Sequence, residues 1–194
     1  MSKILFVNSC TGEHSRTLEL AKHVLLSLDG EIEEVKLYEV ALAPLDAKGV
    51  QARAAAAAAK DFSGKAFDLA RQFACADTIV IAAPYWDLMF PSVLKIYFES
   101  VTVNGLTFAY SEKGIPMGLC KAERLIYVTT SGGPILKNFG YDYARALAQS
   151  FFGIKDACFV SAQGLDIRGA DTEAILLAAK SSAAGILADH KSIE

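Results

Sequence analysis

Apolar and polar positions follow two rhythms along this chain. Short runs rich in β-branched residues occur at Ile4–Val7, Ile32–Leu37, Thr78–Ala83, Leu125–Thr130 and Ala157–Ser161. Between them lie longer segments of helical pattern, Arg16–Leu28, Val50–Ala74, Pro91–Val101, Tyr141–Phe152 and Asp171–Ala188. Strands this apolar read as buried on both faces, which requires a parallel sheet sandwiched by helices. Their alternation predicts an α/β chain with a doubly wound, five-stranded parallel sheet in the order 2-1-3-4-5 and helices on both faces. The run "ARAAAAAAK", Ala52 to Lys60, is helix-favouring low complexity without chemistry of its own. No linker, repeat or shift in composition marks a second domain, so residues 1–194 are expected to form one.

Composition narrows the partner. The chain is 194 residues long, 53% hydrophobic and 21% charged, with a net charge of -3. That suits a substantial core and favours neither nucleic acid nor an anionic membrane as the main partner, leaving a small molecule. Cys10, Cys75, Cys120 and Cys158 lie far apart with no C-x-x-C pair, and "MSKILFVNSC" carries no signal peptide, so a reduced, cytoplasmic protein is expected. The apolar runs are too short or too interrupted by charge to span a bilayer. His14, His23 and His190 show no metal-ligand spacing; they read as surface residues, and no metal is expected.

In a doubly wound sheet the ligand sits outside the carboxyl ends of the strands, where strand order reverses. That selects the loops Asn8–Ser15, Pro84–Phe90 and Ser131–Gly140. The first, within "VNSCTGEHSRTLELA", joins a strand to a helix and supplies Ser9, Thr11, Ser15 and Thr17 hydroxyls beside a helix N-terminus, neutral donors that can surround one phosphate. It has neither G-x-G-x-x-G nor the lysine of a triphosphatase. Helix capping by Ser15 or Thr17 is the plainer account of the same residues. Cys10 and Arg16–Thr17 also match C-x5-R-[ST], the thiolate and arginine spacing of low-molecular-weight phosphatases, although the Asp-Pro pair that supplies their acid is absent from this chain.

The second loop, in "APYWDLMFPSVLKIYFE", sets Tyr85 and Trp86 at the sheet's carboxyl edge, where flat side chains suit a flat aromatic ligand or simply form a packed lid. Pro91 is placed in the first turn of the helix that follows. The third, "TTSGGPILKNFG", has adjacent glycines that admit close approach of a ligand to backbone N–H groups, or make an ordinary turn.

Taken together, "KILFVNSCTGEHSRTLELA", "IVIAAPYWDLMFPSVLKIYFE", "LTFAYSEKGIPMGL", "YVTTSGG" and "FFGIKDACFVSAQGLDI" resemble the FMN-dependent NAD(P)H azoreductases and quinone reductases of flavodoxin-like fold. The resemblance implies FMN, tightly bound or exchangeable, and NAD(P)H as electron donor. Hydride would pass by ping-pong through flavin N5 to a quinone, azo or nitro acceptor. It further implies that Ser9, Ser15, Thr17 and the amide of Arg16 hold the phosphate, and that Pro84, Tyr85, Trp86, Asp87 and Leu88 lie along the isoalloxazine. Thr130, Ser131, Gly132 and Gly133 would meet the pyrimidine side, with the two glycine amides stabilising charge on the reduced ring. No side chain acts as a catalyst of its own; Tyr110 and Phe151 are candidates for the substrate wall, or for plain core packing.

Two departures stand out. The family usually has Met-Tyr-Asn-Phe where this chain has Tyr85-Trp86-Asp87-Leu88, so an acceptor-only carboxylate, unfavourable to anionic reduced flavin, replaces an amide. Arg16 stands where a neutral residue is common. A flavin-binding electron carrier or sensor without reductase activity is the alternative; single-electron carriers are usually far more acidic, while Asp87 keeps the sensor open. Large apolar residues crowd Tyr85 to Tyr110, Phe90, Tyr97, Phe98 and Phe108 among them, more than that segment is expected to bury alone. A homodimer with shared sites is therefore expected, "TFAY" of one chain approaching the flavin of the other.

Overall fold

The computed structural model describes residues 1–189. Five parallel strands, β1 (Lys3–Asn8), β2 (Glu31–Lys36), β3 (Thr78–Ala82), β6 (Arg124–Thr130) and β7 (Asp156–Ala162), form one sheet in the order β2-β1-β3-β6-β7. This is the expected winding, with a two-stranded antiparallel hairpin, β4 (Phe108–Tyr110) and β5 (Pro116–Gly118), inserted between the third and fourth strands of the sheet. The chain reverses its lateral direction at β1 and β3, so their carboxyl ends flank the switch point.

Two cores follow from the period-two alternation of the strands. One face buries Leu5, Val7, Ile79, Ile81, Leu125 and Tyr127 beneath Phe73, Leu94, Tyr97, Phe98 and Phe152. They sit among α3 (Asp68–Cys75), α4 (Ser92–Val101) and the helix α5 (Phe139–Leu147) with the π turn Ala148–Phe152 that extends it. The other face is aliphatic apart from Phe6: Ile4, Phe6, Val80, Ile126, Val128 and Val160 meet Leu20, Val24 and Leu187 of α1 (Arg16–Leu26) and α6 (Thr172–Asp189).

Four expectations need correction. The segment Val50–Ala74 is not one helix: α2 (Ala47–Ala59) ends where Lys60 turns left-handed at φ 52°, and Arg71 holds the intervening loop by donating to the carbonyls of Phe62 and Gly64. Burial on both faces fails at β2, an edge strand in which only Val35 is buried while Ile32 stays exposed. Its glutamates blunt an edge that would otherwise invite pairing. Pro91 precedes α4 as its N-cap instead of entering the first turn. Phe90, Tyr97, Phe98 and Phe108 are buried within the chain, so the crowding of aromatics in that segment is core packing and does not by itself call for a partner.

The "ARAAAAAAK" run does form helix, as its propensity demands, yet no residue of α2 is buried. Arg53 ties it down by donating to the carbonyls of Glu99 and Ser100 at the end of α4, at 2.7 and 3.2 Å. His14 is exposed, His23 half-buried, and His190 lies outside the described residues. Among the described residues no cluster of His, Cys, Asp and Glu could hold a metal, and no helix is long and apolar enough to cross a membrane.

Candidate functional site

All three expected loops emerge at the carboxyl ends of β1, β3 and β6, and side chains join them. Thr17, in the first turn of α1, is buried and shares a 2.6 Å hydrogen bond with Thr130 at the end of β6. Tyr85 N–H donates to the Thr130 carbonyl at 3.1 Å, drawing the second loop onto the third. Two hydroxyls that share one hydrogen bond hold two protons, so one proton of the Thr17–Thr130 pair remains for an acceptor.

Ser15 is the N-cap of α1, accepting from Leu18 N–H at 3.4 Å and retaining its own hydroxyl proton. Capping and anion binding are thus compatible at this residue. The amides of Arg16 and Thr17 have no partner among the described residues, as the first turn of a helix dictates, and they carry the positive end of its dipole. Ser9 is different: wholly buried, it donates through Oγ to the Ala82 carbonyl at 2.8 Å and through N–H to the same oxygen at 2.9 Å. In this arrangement Ser9 fixes the loop to β3, and its single hydroxyl proton is committed there.

The Arg16 side chain leaves the loop altogether. Its guanidinium lies 2.9 Å from Asp166 Oδ1 and donates to the Leu165 carbonyl at 3.3 Å. Meanwhile burial pushes the Cys10 thiol up, with Glu34 adding to the effect, which is the wrong direction for a thiolate nucleophile. Burial outweighing the opposing Ser15 contact at Cys10, and an arginine engaged elsewhere, argue against the C-x5-R chemistry.

In the second loop, Trp86 N–H and Met89 N–H each bond the other's carbonyl, at 3.1 and 2.8 Å, around Asp87 and Leu88 at φ 51° and 67°. Two left-handed central residues make a type I′-like turn, which Asp tolerates and Leu resists. The amides of Asp87 and Leu88 find no partner among the described residues, and the exposed Trp86 and Leu88 side chains stand beside them. Tyr85 is anchored through its hydroxyl to the Lys137 carbonyl at 2.8 Å; Pro84 is half-buried at the strand end.

In the third loop, Ser131 is buried and donates to the Gly133 carbonyl at 2.6 Å, while the amides of Gly132 and Gly133 are unpaired among the described residues. A Cβ at Gly132 would collide with the Asp166 carboxylate, whereas one at Gly133 would meet nothing. Close approach therefore explains the first glycine, and open space lies over the second.

A fourth loop, after β7, was not singled out in the sequence. Leu165 and Asp166 donate to the carbonyls of Ser131 and Gly132 at 3.1 and 2.9 Å, and Gln163 accepts from Ile135 N–H at 2.9 Å. Its signal was available: it too leaves the carboxyl end of a strand, next to the glycine loop.

Tyr110 and Phe151 do not join this site. Phe151 lies on the π turn leading to the amino end of β7, 5.0 Å in ring centroid from Phe108, which in turn packs edge-on against Tyr110 at 5.3 Å. Both therefore belong to the opposite end of the sheet. Phe151 is half-buried, but Tyr110 is exposed together with Ile115, Met117 and Leu119 on the same hairpin.

Residues 2–186 match the family model described as flavodoxin-like fold. The chain is 33% identical over 186 residues to an FMN-dependent NADH:quinone oxidoreductase of Coprothermobacter proteolyticus, covering 89% of this chain and 92% of that protein. A second such protein, from Clostridium acetobutylicum, is 32% identical over 192 residues, covering 91% and 93%. The chain belongs to the flavodoxin-like family that holds these quinone oxidoreductases. Its family fold is also that of a Bacillus anthracis FMN-dependent NADH-azoreductase solved in complex with FMN, at TM-score 0.78 and 24% identity over 97% of this chain and 99% of that one.

Proposed function

We propose that this family member is an FMN-dependent oxidoreductase that takes electrons from NADH and reduces a quinone, with azo and nitro compounds as further acceptors. The observation that carries the reading is the convergence of unpaired amides at one end of the sheet: Arg16 and Thr17 on a helix N-terminus, Asp87 and Leu88 on a tight turn, Gly132 and Gly133 on a glycine loop. Relatives named for FMN and NADH support it.

The donor set fits a flavin mononucleotide. Neutral hydroxyls of Ser15 and Thr17 with two helix amides suit one phosphate, and Pro84, Tyr85, Trp86 and Leu88 offer apolar surface to a ring. When bound, FMN supplies two-electron exchange between nicotinamide and acceptor. The Gly132 and Gly133 amides would donate to the pyrimidine edge and favour negative charge there, while Asp87, an acceptor only, opposes it. The exposed Trp86 and Leu88 would border the flavin, and donor and acceptor would use the space beside it in turn.

A homodimer completes the proposal. Tyr110 and Phe151 lie at the far end of their own sheet, so they can wall a site only across a two-fold axis. The hairpin exposes apolar side chains suited to that role, Tyr110 on one face and Met117 on the other, with Ile115 and Leu119 flanking its second strand.

The test is spectroscopic and kinetic. Purified protein should bind FMN and bleach under NADH, with parallel steady-state lines when quinone is varied. Cys10→Ser should leave the rate unchanged. A chain that hydrolyses p-nitrophenyl phosphate through Cys10, or that binds flavin without accepting electrons, would sink the reading. Met117→Glu should yield monomers that bind FMN yet turn over poorly; a fully active monomer of 20.8 kDa rejects the shared site.

A further inference from the structure

We infer that the Arg16–Asp166 ion pair is a clasp that selects a flavin ending in one phosphate over a flavin dinucleotide. The inference rests on the FMN reading above and concerns what the chain does at the outer end of that cofactor. Arg16 occupies the first position of α1, so its amide belongs to the phosphate cradle while its guanidinium reaches across to the loop after β7. That loop is fixed to the glycine loop by Leu165 N–H to Ser131 and Asp166 N–H to Gly132. The Asp166 carboxylate lies against the Gly132 Cα as well. One bridge thus joins the phosphate end of the site to the loop proposed for the pyrimidine end.

The bridge is at the surface, its side chains 38% and 64% exposed. A mononucleotide ends inside the cradle and needs nothing beyond it. A dinucleotide continues from the same phosphate into a second one, which must pass outward beside Arg16 and Asp166. There the carboxylate repels the added charge and holds the Arg16 guanidinium that would otherwise receive it. Removing each half should therefore act in opposite directions. Without Asp166 the arginine is free to meet a diphosphate; without Arg16 the carboxylate stands unneutralised near a phosphate dianion.

The measurement is a titration of FMN, FAD and riboflavin into flavin-stripped protein, read by quenching of flavin fluorescence. Wild type should prefer FMN. Asp166→Asn, close in shape, should shift the FMN-to-FAD affinity ratio toward FAD by about three- to fivefold, as expected for an exposed charge. Arg16→Gln should weaken FMN by a similar factor and leave riboflavin unchanged, and raised salt should shrink both effects. An unaltered ratio in Asp166→Asn overturns the clasp, and so does a parallel loss of all three flavins, which reports loop damage. If wild type binds riboflavin as well as FMN, or no flavin at all, the cofactor reading itself falls and takes the clasp with it.

Discussion

The two ends of the central sheet are built on opposite rules. At the amino end, ion pairs tie the loops to the strands. Asp77 accepts from Lys3 N–H at 2.8 Å and meets Lys121 at 2.6 Å, contacts that hold its carboxyl below the usual range. Arg124 joins Asp156 at 2.5 Å and caps the Leu187 carbonyl of α6 at 3.2 Å. The hairpin closes down on the Phe152–Gly153 backbone. At the carboxyl end, helix, turn and glycine amides find no partner among the described residues, and Leu88 sits in a left-handed conformation that disfavours it. Unpaired donors and strain are costs, tolerated where a ligand is to be met. On the proposed reading stability and binding fall to different ends of the sheet, so substitutions should sort by end.

A matched pair of glycine replacements tests this most severely. Gly118→Ala places a methyl into the Phe152–Gly153 backbone, which cannot yield as a side chain would. A loss of about 3 kcal/mol or more in urea unfolding is expected. Gly132→Ala pushes only against the Asp166 side chain, so circular dichroism and melting should change little while FMN affinity drops about tenfold or more by calorimetry. Equal damage to stability from both would erase the comparison.

Arg124→Met removes both the guanidinium beside the half-buried Asp156 carboxylate and the donor to the Leu187 carbonyl, and should cost about 1–3 kcal/mol with FMN affinity intact. Thr17→Val, at the other end, should weaken FMN by about tenfold and stability by about 1 kcal/mol, because Thr130 loses its hydroxyl partner. The smallest effect concerns Leu88→Gly: relief of the left-handed strain should raise stability by about 0.5–1 kcal/mol even as the flavin wall is lost.

Alkaline stability gives one further check. Burial, aided by Asp156, pushes the Cys158 thiol from 9.0 to about 12. The unfolded chain therefore ionises first, so this stabilising term is whole below about pH 9 and is lost as pH rises toward 12. Cys158→Ala should flatten the fall of Tm over that range, and an unchanged slope would assign the fall to other groups.

The winding of the sheet was legible because β1, β3, β6 and β7 are apolar enough to announce burial, and the switch-point rule then located the loops. β2 was found despite its glutamates only because Ile32 and Val35 are β-branched and Leu37 closes the run. The hairpin was missed: two strands of three residues carry too little periodicity. The helix break after Ala59 has a signal in Ser63-Gly64, outweighed by the alanine run before it; Lys60 makes the left-handed stop, and Arg71 reaching back from α3 holds the loop. At the site, Thr17, Gly132 and Gly133 were legible as residue types. The commitment of Ser9 to Ala82, the turn of Arg16 toward Asp166 and the remoteness of Tyr110 are tertiary facts that no local pattern encodes.

The alanine helix α2 carries a consequence for motion. A helix with no buried residue, fastened through Arg53 to two carbonyls of α4, draws its stability from alanine propensity and a handful of contacts. A segment of 13 residues is marginal as an isolated helix in water. It should open and reclose on its own, well below the free energy that unfolds the sheet. In deuterium exchange its amides should be the first helical set to label, leaving β1, β3 and β6 protected, and Arg53→Ala should hasten that labelling without touching the core.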